Sequence, residues 1–174
     1  DRVKSGEGEM QMLHIEDMMQ AMNLFSNAKY SVDFAEICQA MTDVGVSMAG
    51  ILEAIKLYAF SYMIGNGDLH GKNVSLMRGS RGQWMLTPAY DLVCTLPYKN
   101  LPPVMSVALF DETIGGFKSG DFVAFGAKFG VPEAAVQKEV RTLANKVVAN
   151  LRLLAGAIPA EDIREIQERA TAMS

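Results

Sequence analysis

The stretch Ile64-Gly65-Asn66-Gly67-Asp68-Leu69-His70-Gly71-Lys72-Asn73-Val74-Ser75-Leu76 gathers an acid, an imidazole, an amine and an amide into one glycine-flanked loop. Upstream of it, Ile51, Leu52, Ile55, Tyr58, Ala59, Tyr62 and Met63 recur at three- and four-residue steps, which predicts a helix over Met48 to Ile64. Gly65-Asn66-Gly67 stops that helix, because glycine accepts the left-handed conformation that a helix end often requires. Downstream, Val74 to Arg78 and Gln83 to Thr87 read as two short strands, joined by Gly79-Ser80-Arg81-Gly82 and closed by Pro88. A long helix, a polar loop and a hairpin thus follow one another, and loops on rigid supports are where chemistry concentrates.

Further from the loop, His14 to Met22 reads as a short helix with Glu16 and Asp17 in its first turn and Ile15, Met18, Met19 and Met22 on its apolar side. His14, beside those acids, is assigned a capping or surface role. Residues 100–120 are rich in Pro and Gly and read as loop with a short strand at most; Asp121 is expected to cap a brief helix over 122–129, ended by Gly130 and Pro132. Two amphipathic helices, Pro132 to Ala155 and Ala160 to Met173, complete the chain as scaffold. No repeat or low-complexity tract interrupts this order. The expected class is mainly α (α+β), a helical bundle with a small β-hairpin.

At 174 residues and 49% hydrophobic, residues 1–174 can bury one sizeable core as a single domain. A net charge of −4 and a pI near 5.2 argue against direct nucleic-acid binding, which calls for a clustered basic face. No apolar run approaches the roughly 20 residues that cross a bilayer, and no signal pattern is present, so a soluble protein is expected. Cys38 and Cys94 stand far apart without a CxxC or His-rich neighbour and read as reduced thiols. Trp84 and the phenylalanines 110, 117, 122, 125 and 129 read as core.

Phosphoryl transfer to a hydroxyl needs an acid to accept the hydroxyl proton and hard oxygen ligands to hold Mg²⁺ against nucleotide phosphates. Protein kinases set the catalytic Asp and a metal-binding Asn five residues apart, the spacing of Asp68 and Asn73. A second metal-holding acid should follow the hairpin, which returns the chain to the same loop end, and Tyr90-Asp91-Leu92 arrives there. Asp68 is therefore read as the base, Asn73 and Asp91 as Mg²⁺ ligands, and ATP as the donor; no residue is assigned to nucleotide binding. Asp, Asn and Gly also populate turns for local reasons alone, but three polar positions in register around a hairpin favour the chemical reading. His70 could orient Asp68 or touch a phosphate, or serve as a structural hydrogen-bonding partner; Lys72 could neutralise phosphate charge or stand solvated.

The run Ile64 to Leu76, followed by Leu86-Thr87-Pro88-Ala89-Tyr90-Asp91-Leu92-Val93, resembles the C-terminal domain of HipA-type toxin kinases. Leu13 to Gln20 and Lys29-Tyr30 resemble segments that follow the N-terminal lobe in that family, and Asp1-Arg2 looks like the tail of its Arg-Phe-Asp-Arg junction. The resemblance covers nearly the whole chain, most weakly beyond Gly120. It implies a kinase-like C-terminal lobe from a bacterial, cytoplasmic serine/threonine protein kinase of a toxin–antitoxin pair. Such a kinase phosphorylates a protein such as an aminoacyl-tRNA synthetase and is restrained by a HipB-like DNA-binding antitoxin. The Gly-rich phosphate loop, strand lysine and partner glutamate of a kinase do not precede Asp1, so the chain is expected to be a piece of a longer protein whose N-terminal lobe holds the nucleotide, and to turn over little alone.

Two other readings compete. Gly67-Asp68-Leu69-His70 with Asn73 is also similar to the catalytic loop of aminoglycoside and choline phosphotransferases, although Asn66 stands where that family has His and Asp91 sits in a Thr-Pro-Ala-Tyr-Asp context. Alternatively the acids are turn residues of a non-catalytic interaction module whose helical tail docks a partner protein.

Overall fold

The computed structural model describes residues 2–4, 10–101, 104–110 and 115–174, with side chains from Met12 onward. Asp1 of the junction-like start lies outside the described residues, as do six positions of the expected 100–120 loop (102, 103 and 111–114).

In chain order the elements are strands β1 (Arg2–Lys4), β2 (Met10–Met12) and β3 (Ile15–Asp17), then helices α1 (Met18–Ala21), α2 (Phe34–Asp43) and α3 (Met48–Ile64). Strands β4 (Ser75–Arg78) and β5 (Trp84–Leu86) follow, and helices α4 (Ser119–Lys128), α5 (Glu133–Asn150) and α6 (Ala160–Thr171) close the chain. The fold is mainly α with a small antiparallel sheet ordered β3-β4-β5 and a separate β1-β2 pair.

Helix α3 is the axis of the core. Its buried residues run round the helix rather than along one stripe: Ile51, Ala54, Ile55, Leu57, Tyr58, Ala59, Ser61, Tyr62 and Met63. So broad an apolar surface is stable only when several neighbours cover it, and α2, α4, α5, α6 and the hairpin all pack against it, leaving Glu53 at the surface. Aromatic rings fill the contact with α2 and α4, where Phe34 lies 4.6 Å from Tyr58 and stacks at 5.2 Å on Phe125. Ser47 caps the start of α3 through a bond from Gly50 N–H. The buried Tyr58 hydroxyl donates to the Val107 carbonyl at 2.6 Å, which ties the segment 104–110 to the axis.

The hairpin pairs Leu76 with Leu86, Met77 with Met85 and Arg78 with Trp84. Arg78 lies over the Trp84 ring at 4.4 Å, and Trp84 itself is half-buried against the core rather than inside it.

Three local expectations are corrected and one element is added. Residues 15–17 do not begin a helix: they pair with 75–77 as β3, and Asp17 caps the single-turn α1 in a capping box with Gln20. Lateral pairing of this kind supplies backbone hydrogen bonds that local periodicity does not reveal. Asp121 lies inside the first turn of α4, where it accepts from the Lys118 N–H at 2.7 Å, so the helix starts earlier than its acid suggests. The first tail helix gives way after Asn150 to a 3-10 turn over Leu151–Leu154. Helix α2, opened by an Asp33–Glu36 capping box that the sequence carries openly, is an addition to the expected elements.

Gly65 ends α3 in the left-handed region at φ 69°. A Cβ there would lie 2.4 Å from Leu96 Cγ. Gly65→Ala therefore combines an unfavourable φ with an overpacked contact, and we expect it to lower stability by about 2–4 kcal/mol in a denaturant titration. A midpoint unchanged from wild type would remove this turn as a determinant of the fold.

Candidate active site

The turn at Gly65 delivers the chain into the polar loop, and a residue from beyond the hairpin holds it there. The Gly65 carbonyl accepts from both Thr95 N–H and Thr95 Oγ1, each at 2.9 Å, while Thr95 Oγ1 in turn accepts from Gly67 N–H at 2.9 Å. Asn66 Oδ1 accepts from Asp68 N–H at 3.1 Å. These bonds engage backbone groups at and just beyond the end of α3, where the helix leaves its last carbonyls unpaired.

Residues Gly71–Asn73 then form one 3-10 turn, with Asn73 buried at its end. The Asn73 side chain uses both ends of its amide. Its Oδ1 accepts from His70 N–H at 3.0 Å, and its Nδ2 donates to Asp91 Oδ2 at 2.8 Å. The two partners fix the amide orientation between them, since only an acceptor can face the His70 N–H and only a donor the carboxylate. Asn73 and Asp91 are thus in direct contact, and it is the amide nitrogen rather than the oxygen that meets the carboxylate.

Asp91 lies on the exposed side of this contact at φ 55°, a conformation that Asp tolerates better than most residues. Its neighbour Tyr90 anchors the segment: the Tyr90 hydroxyl donates to the Lys72 carbonyl and shares a 2.7 Å hydrogen bond with Ser75 Oγ. Partial burial raises the Tyr90 phenol above its ordinary range.

Asp68 is half-buried, and its Oδ1 accepts from the Tyr30 hydroxyl at 2.6 Å. It lines a cavity of about 470 Å³ together with Gly67, Thr95, Tyr98, Ser106 and Tyr30. A cavity of about 590 Å³ lies elsewhere, against Tyr62 and α6, where Arg169 pairs with Glu165 at 2.5 Å; the smaller one holds the motif.

His70 is buried at the back of the loop, with its ring edge-on to Tyr30 at 5.2 Å and its Nδ1 without a partner. Burial first, then the nearby Lys29 charge, depress its basicity against the opposing pull of Asp68, so the ring is held neutral. Lys72 turns towards Asp17, 3.7 Å away, and Ser26 Oγ at 3.5 Å. Tyr30, Tyr90 and Thr95 were not singled out from the sequence as site residues; Tyr30 and Thr95 lie 38 and 28 positions from their partners in the loop, and the local signals were the resemblances at Lys29-Tyr30 and at Leu86 to Val93, which contains Tyr90.

Among the described residues no cluster of three His, Cys, Asp or Glu side chains could cage a metal. The donor set of Asn73 and Asp91 is of another kind: one carboxylate and one amide oxygen, each with acceptor capacity left beyond the bonds above. Oxygens of that kind suit a hard cation such as Mg²⁺, which takes one or two protein oxygens and leans on water and phosphate for the rest, and both would meet one cation once the Asn73 amide turns its oxygen from the His70 N–H towards Asp91.

With a lobe of this kind established, a C-terminal kinase-like fold with its polar loop between a buried helix and a hairpin, the comparisons identify the family. Residues 1–151 match the model of the HipA-like C-terminal domain, and the chain belongs to that family. Two relatives come from Sinorhizobium fredii (strain NBRC 101917 / NGR234). "Putative kinase Y4dM" is 40% identical over 86 residues, covering 49% of this chain and 21% of that protein, and "Putative kinase Y4mE" is 27% identical over 149 residues, covering 82% and 35%. The chain therefore spans about a third or less of these relatives' length. The HipA, HipB and operator DNA complex of Shewanella oneidensis MR-1 contains a chain that superposes with a TM-score of 0.74 at 20% identity, covering 99% of this chain and 47% of that one. At that identity the likeness establishes the fold. No helix among the described residues is long and apolar enough to cross a membrane.

Asn73→Asp keeps an acceptor for the His70 N–H but sets a second carboxylate against Asp91. We expect it to cost about 1–2 kcal/mol at neutral pH. The deficit should shrink as the pH falls from about 6 to 4, because the paired acids take up a proton in the folded state that they release on unfolding. Chemical denaturation across that range checks this, and a deficit independent of pH would mean that the two side chains do not meet in solution.

Proposed function

We propose that this chain is the catalytic lobe of an ATP-dependent serine/threonine protein kinase of the HipA type, acting within a bacterial toxin–antitoxin pair. The observation that carries the reading is the contact between Asn73 and Asp91 across the hairpin, with Asp68 five residues before Asn73 at a cavity of its own. Local turn bonding alone does not account for a contact between side chains 18 positions apart. The names of the Sinorhizobium fredii relatives support the same class.

In this reading Asp68 accepts the proton of the acceptor hydroxyl as its oxygen attacks the γ-phosphorus, and ADP leaves with the electron pair of the broken P–O bond. Asn73 and Asp91 would hold Mg²⁺, which when bound neutralises phosphate charge. Neutral His70 serves the loop as a packed wall rather than as a charged ligand, and Lys72, held by Asp17, stabilises the loop's outer edge. The nucleotide's other contacts come from an N-terminal lobe on the same polypeptide. The acceptor is a protein, with an aminoacyl-tRNA synthetase as one candidate, and the restraining partner is a HipB-like antitoxin, which the HipA–HipB–DNA assembly of Shewanella oneidensis supports by analogy. The reaction takes place in the cytoplasm.

The test is ATP-dependent labelling by the full-length protein, offered lysate proteins and aminoglycosides in parallel. Label on protein is expected, reduced by about 10²- to 10⁴-fold in Asp68→Ala and lost in Asp91→Ala. Label on the aminoglycoside instead would make it a small-molecule phosphotransferase, and label on neither would leave the interaction module.

A further inference from the structure

Tyr30 lies outside the polar loop and outside every element that carries it, on the segment that follows the 3-10 turn Ser26–Ala28. That segment is nonetheless docked on the loop at three points. Gly71 N–H donates to the Lys29 carbonyl at 3.1 Å, the Tyr30 ring packs edge-on against His70 at 5.2 Å, and the Tyr30 hydroxyl donates to Asp68 Oδ1 at 2.6 Å. Lys29 Nζ caps the exposed side of the ring, 4.6 Å from its centre.

The last bond is asymmetric in what it does for its two partners. Tyr30 is 47% exposed, so water could satisfy its hydroxyl without Asp68. Asp68 has no second side-chain partner among the described residues; its backbone N–H donates to Asn66 Oδ1. The carboxylate would turn freely about its Cβ–Cγ axis without the phenol. A hydrogen bond of this length to an ionised acceptor is among the stronger kinds, and it leaves Oδ2 as the unoccupied oxygen. Tyr30 and Ser106 also form the shared wall between the cavity of Asp68 and a second cavity of about 570 Å³ bordered by Asp33, Glu36 and Lys128.

We propose that Tyr30 is a positioning residue for the base: its hydroxyl fixes Asp68 through Oδ1 so that Oδ2 is presented to the acceptor hydroxyl at the junction of the two cavities. This rests on the phosphotransfer reading of Asp68. In the transfer itself Tyr30 keeps its proton, while the acceptor's proton passes to Asp68 Oδ2. The ring and the hydroxyl have separable roles, the ring packing against His70 and the hydroxyl orienting the carboxylate.

That separation makes the inference testable in the full-length protein, with initial rates measured against ATP and against the protein acceptor for Tyr30→Phe and Tyr30→Ala. Tyr30→Phe preserves the packing and removes only the hydroxyl. It is expected to lower kcat by roughly 10- to 100-fold, the scale of a misaligned reacting group, with the KM for ATP unchanged. Tyr30→Ala should fall at least as far. If Tyr30→Phe works at the wild-type rate while Tyr30→Ala does not, the ring alone matters and the inference is overturned. A joint change of kcat and the ATP KM in Tyr30→Phe also overturns it, because the damage would then extend beyond the base. Should the wild-type protein label no acceptor at all, the phosphotransfer reading fails and takes this one with it; an active wild type with an indifferent Tyr30→Phe sinks this inference alone.

Discussion

A carboxamide has one accepting end and one donating end, and Asn73 places them on two different parts of the chain. Its oxygen closes the turn that begins at His70, and its nitrogen holds Asp91, which arrives only after the hairpin. No other side chain of similar size can do both, because a carboxylate lacks the donor and a hydroxyl lacks the span. The conformation of the loop and the position of the second acid are therefore coupled through one residue, and Asn73 itself is buried, so that losing its bond to the His70 N–H is costly.

That coupling works only if its platform is fixed, and α3 is the fixed part. A helix packed by α2, α4, α5, α6 and the hairpin cannot shift without opening several interfaces at once. Its C-terminal glycine meets Leu96 closely, and Thr95 next to that leucine bonds the Gly65 carbonyl twice. The strand–turn–strand excursion from Ser75 to Leu86 thus begins and ends on one helix terminus. This explains why Asp91 returns to Asn73 instead of diverging from it. The helices α4 to α6 enter the site indirectly, by covering the faces of α3 that the hairpin leaves open.

How much of this the sequence discloses follows from the range of the interactions. Met48 to Ile64 was legible to the residue because its apolar positions and the stop at Gly65 are local. The hairpin was legible through its paired glycines, with strand ends trimmed by a residue. The strand β3 was not, since Ile15-Glu16-Asp17 followed by apolar residues is as compatible with a helix start, and only pairing with Ser75 to Met77 decides between them. In the site, Asp68, Asn73 and Asp91 were legible as residue types at a spacing, but not the direction of the Asn73 amide, which depends on a backbone donor at His70. Tyr30 and Thr95 could not be singled out, because a lone tyrosine or threonine carries no pattern and their partners are remote in the chain.

The two candidate acids are restrained in opposite ways, and the difference follows from their surroundings. Asp91 sits at positive φ, which costs a residue with a Cβ on the order of 1 kcal/mol. The bond from Asn73 and the anchoring of Tyr90 between Lys72 and Ser75 offset that cost without enclosing the carboxylate. An exposed, backbone-fixed acid suits a ligand that arrives with its own charge and water. Asp68 has ordinary backbone geometry, a backbone N–H held by Asn66 and a side chain touched at one oxygen by Tyr30. A side-chain-fixed acid beside a cavity suits a group that must receive a proton in one direction. The loop thus holds one acid by its backbone and the other by its side chain, a division that suits the two roles proposed for them.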